Sequence, residues 1–190
     1  FFLFLILILC SGAMEQAISQ WVSYFAEKGL NLNKSMGDLV GPFSFALLMG
    51  LGRLFYGLFG YKIHIKRILP IAGAGCLLCY IIAAASNSSL LCLIACALCG
   101  FCVSITWPGT LDAASKNIPQ GGTAMFALLA LGGDIGCTLG PSIVGYVSDA
   151  SSLGLKGGIA TASIFVLIFT VASLVLLKKD NNRLMLNERE

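Results

Sequence analysis

The sequence predicts an all-α integral membrane protein of six transmembrane helices. Three observations predict it. The 190-residue chain is 57% hydrophobic and only 11% charged, whereas a soluble domain carries about 25% charged residues. Its mean hydropathy is +0.89. Six apolar runs, at about 1–25, 39–61, 68–85, 90–114, 124–147 and 158–177, each have the roughly 17–25 residues that a helix needs to cross the hydrocarbon. Breaker and turn signals separate them: "NLNKSMGD", "YKIHIKR", "SNSS", "SKNIPQGG" and "SDASSLGLKGG". The runs make one six-helix domain over 1–177, and the tail "KKDNNRLMLNERE" over 178–190 leaves the membrane. The first residue is not Met and already lies in an apolar run, so the expectation is a piece of a longer chain.

Span one carries the polar stretch "SGAMEQAISQW" (11–21) behind "FFLFLILILC". At 3.6 residues per turn, Glu15, Ser19, Ser23, Gln16 and Gln20 fall within about 140° of one helix face. Ala17, Trp21, Met14, Ile18 and Val22 take the other face. By helical rise Glu15 lies roughly 15 Å from the outer end, close to the bilayer centre. Helix–helix hydrogen bonding could hold Glu15 by itself, but five polar groups on one face fit a water-filled cavity better. Trp21, on the apolar face near the outer end, reads as an interface anchor.

Span two carries Arg53 and ends in a basic loop; span three has no charge. Span four holds Trp107, the pair Pro108–Gly109 and, near its inner end, Asp112. Span five carries Asp134, Gly140–Pro141 and glycines at 132, 136 and 140. That four-residue period is a small-xxx-small face for close helix approach. Both glycine–proline pairs are expected to interrupt their spans, as hinges or as packing kinks. Span six is uncharged. Uncharged spans three and six are free to face lipid, leaving one, two, four and five around a polar centre.

Arg53 and Asp134 lie at matching depths by helical rise, about 12 and 15 Å from the inner end, so a buried pair between them is one reading. Carboxylates at Glu15, Asp112 and Asp134 outnumber the one embedded arginine. A carboxylate left without a partner is what proton coupling needs. "FALLMGLGRL" (45–54) echoes "FALLALGGDI" (126–135), setting Arg53 opposite Asp134. Span two would run inward and span five outward, so the echo fits a three-plus-three inverted repeat.

The loops after spans two, four and six, with the tail, hold Lys62, Lys66, Arg67, Lys116, Lys178, Lys179, Arg183 and Arg189. The opposite loops hold Lys28, Lys34 and Lys156. The imbalance places the first set, and the C-terminus, in the cytoplasm of a multi-pass cell-membrane protein. The eight cysteines, Cys10, Cys76, Cys79, Cys92, Cys96, Cys99, Cys102 and Cys137, all fall in apolar spans. They read as small packed hydrophobes rather than metal ligands.

These residues carry a resemblance. "GRLFYGLFGYKIHIKRIL" (52–69) resembles the glycine–arginine helix end and basic loop of major facilitator superfamily transporters, without the acidic residue expected around Gly57–Gly60. "GAMEQAISQW" (12–21) resembles the seventh helix of the fucose-permease-like proton symporters. "WPGTLDAAS" (107–115) and "GGDIGCTLGPSIVGYVSDA" (132–150) are similar to their tenth and eleventh helices. The resemblance covers essentially the whole chain. It implies the C-terminal six-helix half of a twelve-helix alternating-access transporter, whose partners are the bilayer, the missing N-terminal half, a small polar solute and protons. Spans one and four would line the cavity, making Glu15, Gln16, Ser19, Gln20 and Trp107 candidate substrate contacts, with Trp107 stacking on a sugar face or simply packed in the bundle. Coupling protonation sites are expected mainly in the missing half, leaving Glu15, Arg53 and Asp134 as candidates for coupling or for a buried charge pair.

The leading function is proton-coupled uptake of a sugar or similar polar solute. Export of drugs or metabolites is the first rival, and a non-transporting sensor or scaffold the second. No nucleophile–base pair, metal-ligand set or phosphate loop stands out in the sequence. An enzyme, a cofactor, a metal and a nucleic-acid partner are therefore not expected.

Overall fold

The computed structural model describes residues 1–60 and 64–187. Of the charges counted for orientation, Lys62 and Arg189, and the side chains of Lys28 and Arg183, lie outside what it describes. Eight helices follow in order: α1 (Phe2–Ser19), α2 (Val22–Leu30), α3 (Lys34–Phe59), α4 (Ile65–Ala85), α5 (Ser89–Val103), α6 (Thr106–Asn117), α7 (Gly122–Ala150) and α8 (Leu155–Asn187). No strand occurs among the described residues. Together they make six membrane-length apolar spans, because α1–α2 and α5–α6 are each one span broken in two. Helix starts follow local chemistry: the Asn33 side chain accepts from Met36 N at 2.9 Å to cap α3, and Ser88 caps α5 through Leu91 N. Asn31 (φ 54°) closes α2 in the left-handed conformation that Asn tolerates. The last helix runs on to Asn187, so the start of the polar tail prolongs span six.

Span four breaks at Ser104–Ile105 rather than at Pro108–Gly109. The reason is steric: a proline ring clashes with the carbonyl four residues earlier and supplies no N–H to it. Pro108 itself sits in the first turn of α6, where a missing N–H costs little. Hydroxyls take up nearby carbonyls: Ser104 Oγ donates to Phe101 O at 2.6 Å and Thr106 Oγ1 to Val103 O at 2.8 Å. Span five, by contrast, is continuous through Pro141. The break in span one, at Gln20–Trp21, has neither glycine nor proline, and Trp21 N turns back to Ile18 O at 3.1 Å. Trp21 is not an interface anchor. It packs toward Gly145 of α7, and its Nε1 is buried with no hydrogen-bond partner among the described residues.

Span one packs along span five and span two along span four, while spans three and six pair with each other and spans one and four cross. The first helix of each three-helix unit therefore lies on the second helix of the other, so the two units are used alike, as in a three-plus-three repeat. Within lipid, close approach rather than apolar burial drives such packing. A Cβ at Gly136 would overlap Leu9 O, one at Gly140 would overlap Ala13 O, and one at Gly132 would lie 2.5 Å from Leu5 Cδ1. The glycine period of span five thus matches the Leu5–Leu9–Ala13 period of α1. Spans one and four are the most buried and span two the least, with span five next. Among the described residues, spans two and five, which bear Arg53 and Asp134, thus stay the most open of the six.

The interior is apolar, with a few satisfied polar groups. Ser11 Oγ and Thr106 Oγ1 are 2.6 Å apart and fully buried where spans one and four cross. Tyr80 of α4, also fully buried, donates its hydroxyl to Met14 O at 2.6 Å. At one end of the bundle Lys66 of α4 pairs with Asp180 of α8 and contacts Asn117 Oδ1 of α6 at 3.4 Å. At the other end Lys156 donates to Asn87 Oδ1 at 2.8 Å.

Candidate functional site

The polar wedge of span one survives folding as a partition. Met14, Ala17, Ile18 and Val22 are fully buried, while Glu15, Gln16, Ser19 and Ser23 are half-buried and Gln20 is exposed. Glu15 faces a cavity of about 540 Å³, within the range of small-molecule sites. The same cavity is lined by Arg53, Tyr56 and Gly57 of α3, Trp107 and Pro108 of α6, and Cys137 of α7. Three of the candidates read from sequence, Glu15, Arg53 and Trp107, therefore meet in one place.

Backbone approach sets this meeting. A Cβ at Gly12 would overlap Gly133 O and sit 3.0 Å from Cys137 Sγ, so α7 comes against α1 one turn before Glu15. Gly133 in turn has the six-membered ring of Trp107 where a side chain would be. The indole is thus seated on bare backbone and held at the cavity wall. Span four turns at Ser104–Ile105, and α6 begins there, carrying Trp107 and Pro108.

Arg53 and Glu15 line the same cavity, but the two make no ion-pair contact among the described residues. Carboxylate and guanidinium both remain available to a ligand. Arg53 does not pair with Asp134 either. The glycines of α7 take its α1-facing stripe, which carries Asp134 round to the opposite, exposed side. Spans two and five are also not packed along one another. Asp112, a second conceivable partner for Arg53, pairs instead with Lys116 one turn on, at 2.8 Å.

Gln16, Ser19, Gln20 and Asp134 do not line the cavity. Ser19 Oγ approaches Gln16 Oε1 at 3.4 Å, a long contact within the wedge itself. Sequence reasoning missed Tyr56 and Cys137. Tyr56 stands three residues after Arg53, and a helix brings i and i+3 to neighbouring positions; Cys137 had no such signal, because Asp134, three residues before it, does not line the cavity. It also missed the Ser11–Thr106 contact, which nothing in either segment alone encodes. Among the described residues, no group of three or more His, Cys, Asp or Glu side chains is placed to hold a metal.

The family model of the Major Facilitator Superfamily matches residues 4–188. The chain belongs to that superfamily. No curated protein matches the chain, and no solved structure does. A six-span, all-helical chain of this superfamily is consistent with half of its fold, and membership makes it a membrane transporter domain of the secondary type. In a facilitator chain the cavity takes on a specific meaning. It lies on the open side of the span-one helix and at the break of span four, the two most buried spans.

Proposed function

We propose that this facilitator domain is the C-terminal half of a twelve-helix transporter, carrying a sugar or similar small polar solute inward, coupled to protons, by alternating access. The reading rests chiefly on the cavity that gathers Glu15, Arg53, Tyr56 and Trp107. A carboxylate and a guanidinium that are not paired with each other offer acceptors and donors to hydroxyl groups, and an indole offers a flat apolar face to a sugar ring. Proton coupling is assigned to Glu15, the carboxylate at the cavity, rather than to Asp134. Gln16, Ser19 and Gln20 extend the polar surface above it and would meet solute on its way in. The excess of Lys and Arg in the loops after spans two, four and six and in the tail supports a cytoplasmic C-terminus in a cell-membrane protein.

The test is uptake by the full-length transporter in liposomes, over a panel of sugars and polar metabolites, with and without a pH gradient. Gradient-driven uptake of a hydroxylated solute, lowered at least about tenfold by Glu15→Gln (about 1.4 kcal/mol) and less than threefold by Asp134→Asn, is the expected result. Expulsion of a lipophilic cation in place of sugar uptake would make the chain an exporter. Solute binding with no movement of any solute would make it a sensor or scaffold.

A further inference from the structure

Four cysteines outside the candidate site form a cluster. Cys76 and Cys79 lie three residues apart on α4, and Cys99 and Cys102 three apart on the antiparallel neighbour α5. That spacing puts each pair on one helix face. Across the α4–α5 interface Cys76 and Cys79 lie close to Cys99 and Cys102. All four are free thiols.

Access differs among them. Cys76, Cys79 and Cys99 are buried, whereas Cys102 is partly exposed. Cys102 lines a second groove of about 290 Å³ between α3, α4 and α5, walled chiefly by Phe55, Ile68, Ile71, Phe101 and Ile105 and sharing Tyr56 with the Glu15 cavity. Ile71, Phe55 and Phe101 are 68, 51 and 44% exposed, so the rim is apolar and open, as a route from hydrocarbon requires. Gly75 leaves the room: a Cβ there would stand 2.8 Å from Cys102 Sγ. The sulfur is therefore seated against α4 next to Cys76.

We propose that this cluster is a thiol-modification site, at which a membrane-dissolved organic hydroperoxide reaches Cys102 through the apolar groove and closes an interhelical disulfide from Cys102 to Cys76 or Cys79. In the first step Cys102 sulfur attacks the outer oxygen of the hydroperoxide. The O–O bond breaks, the alcohol leaves with the thiol proton, and Cys102 becomes a sulfenic acid. In the second step the sulfur of Cys76 or Cys79 attacks that sulfur. The S–O bond breaks, water leaves, and the disulfide forms. Two thiols and one hydroperoxide give one disulfide, one alcohol and one water, so two electrons pass from sulfur to the peroxide oxygen. Cys102 stands two residues before the span-four break, so the crosslink ties the hinge-side end of α5 to α4.

The experiment treats the full-length protein in liposomes with cumene hydroperoxide, or with hydrogen peroxide at equal concentration. Remaining thiols of the chain are then alkylated under denaturing conditions and counted by mass spectrometry. The chain has eight cysteines, and loss of two alkylated thiols with a peptide joining Cys102 to Cys76 or Cys79 is expected with cumene hydroperoxide. Cys102→Ser should abolish the loss, while Cys96→Ser, on the same helix but outside the four, should keep it. Retention of all eight thiols, a disulfide lacking Cys102, or equal crosslinking by hydrogen peroxide would each overturn the proposal. The count needs no transport activity, so it stands apart from the functional reading above.

Discussion

Tyr80 shows how a single side chain joins two spans. Its hydroxyl reaches Met14 O from another helix and both are fully buried, so no water can replace the bond. Tyr80→Phe should lower stability by about 1 kcal/mol, seen as a lower melting temperature in detergent, with the fold retained. Glu15 sits one residue further along α1, at the border between that packed face and the open wedge. Its helical angle placed it on a polar face from sequence alone. That Arg53 and Trp107 stand at the same cavity depended on which helix packs against which.

At the scale of elements, the α1–α7 pair is built on backbone contact. Gly132, Gly136 and Gly140 meet Leu5, Leu9 and Ala13 in register, and their period was legible because a four-residue repeat keeps one helix face. Gly136→Leu would push a side chain into Leu9 O, and overpacking of this kind costs roughly 1–3 kcal/mol or more. Reduced monodisperse yield and a lower melting temperature are the expected outcome, while Gly57→Leu, with nothing near its Cβ, should leave both unchanged. The helix breaks were less legible. Proline marks the vicinity of one, but its clash acts a turn upstream, and the break at Gln20–Trp21 has no sequence signal of its own.

For the molecule as a whole, charge placement decides which surfaces meet lipid. Arg53 and Asp134 are exposed on the least buried spans, and a charge at the bilayer centre costs about 2.5–3.5 kcal/mol. Those faces therefore belong against water or another polypeptide, consistent with a domain that is half of a larger fold. At the end of the bundle, the Lys66–Asp180 pair, whose side chains are 16 and 21% exposed, ties span three to span six. Lys66→Ala should cost more than the roughly 0–1 kcal/mol of an exposed pair, because it leaves a mostly buried Asp180 without its ion-pair partner. A melting-temperature comparison with the parent checks this.

By itself the sequence determined the membrane class, the six spans, the polar wedge on span one and the glycine face of span five. Each is a local property of length, composition or helical period, and those are written along the chain. Tertiary structure alone decided that Arg53 faces the Glu15 cavity and not Asp134, that Tyr56 and Cys137 join its wall, and that four thiols converge between α4 and α5. Those outcomes depend on which helices exchange partners and how closely they approach, and the residues involved lie tens of positions apart, where no periodicity connects them.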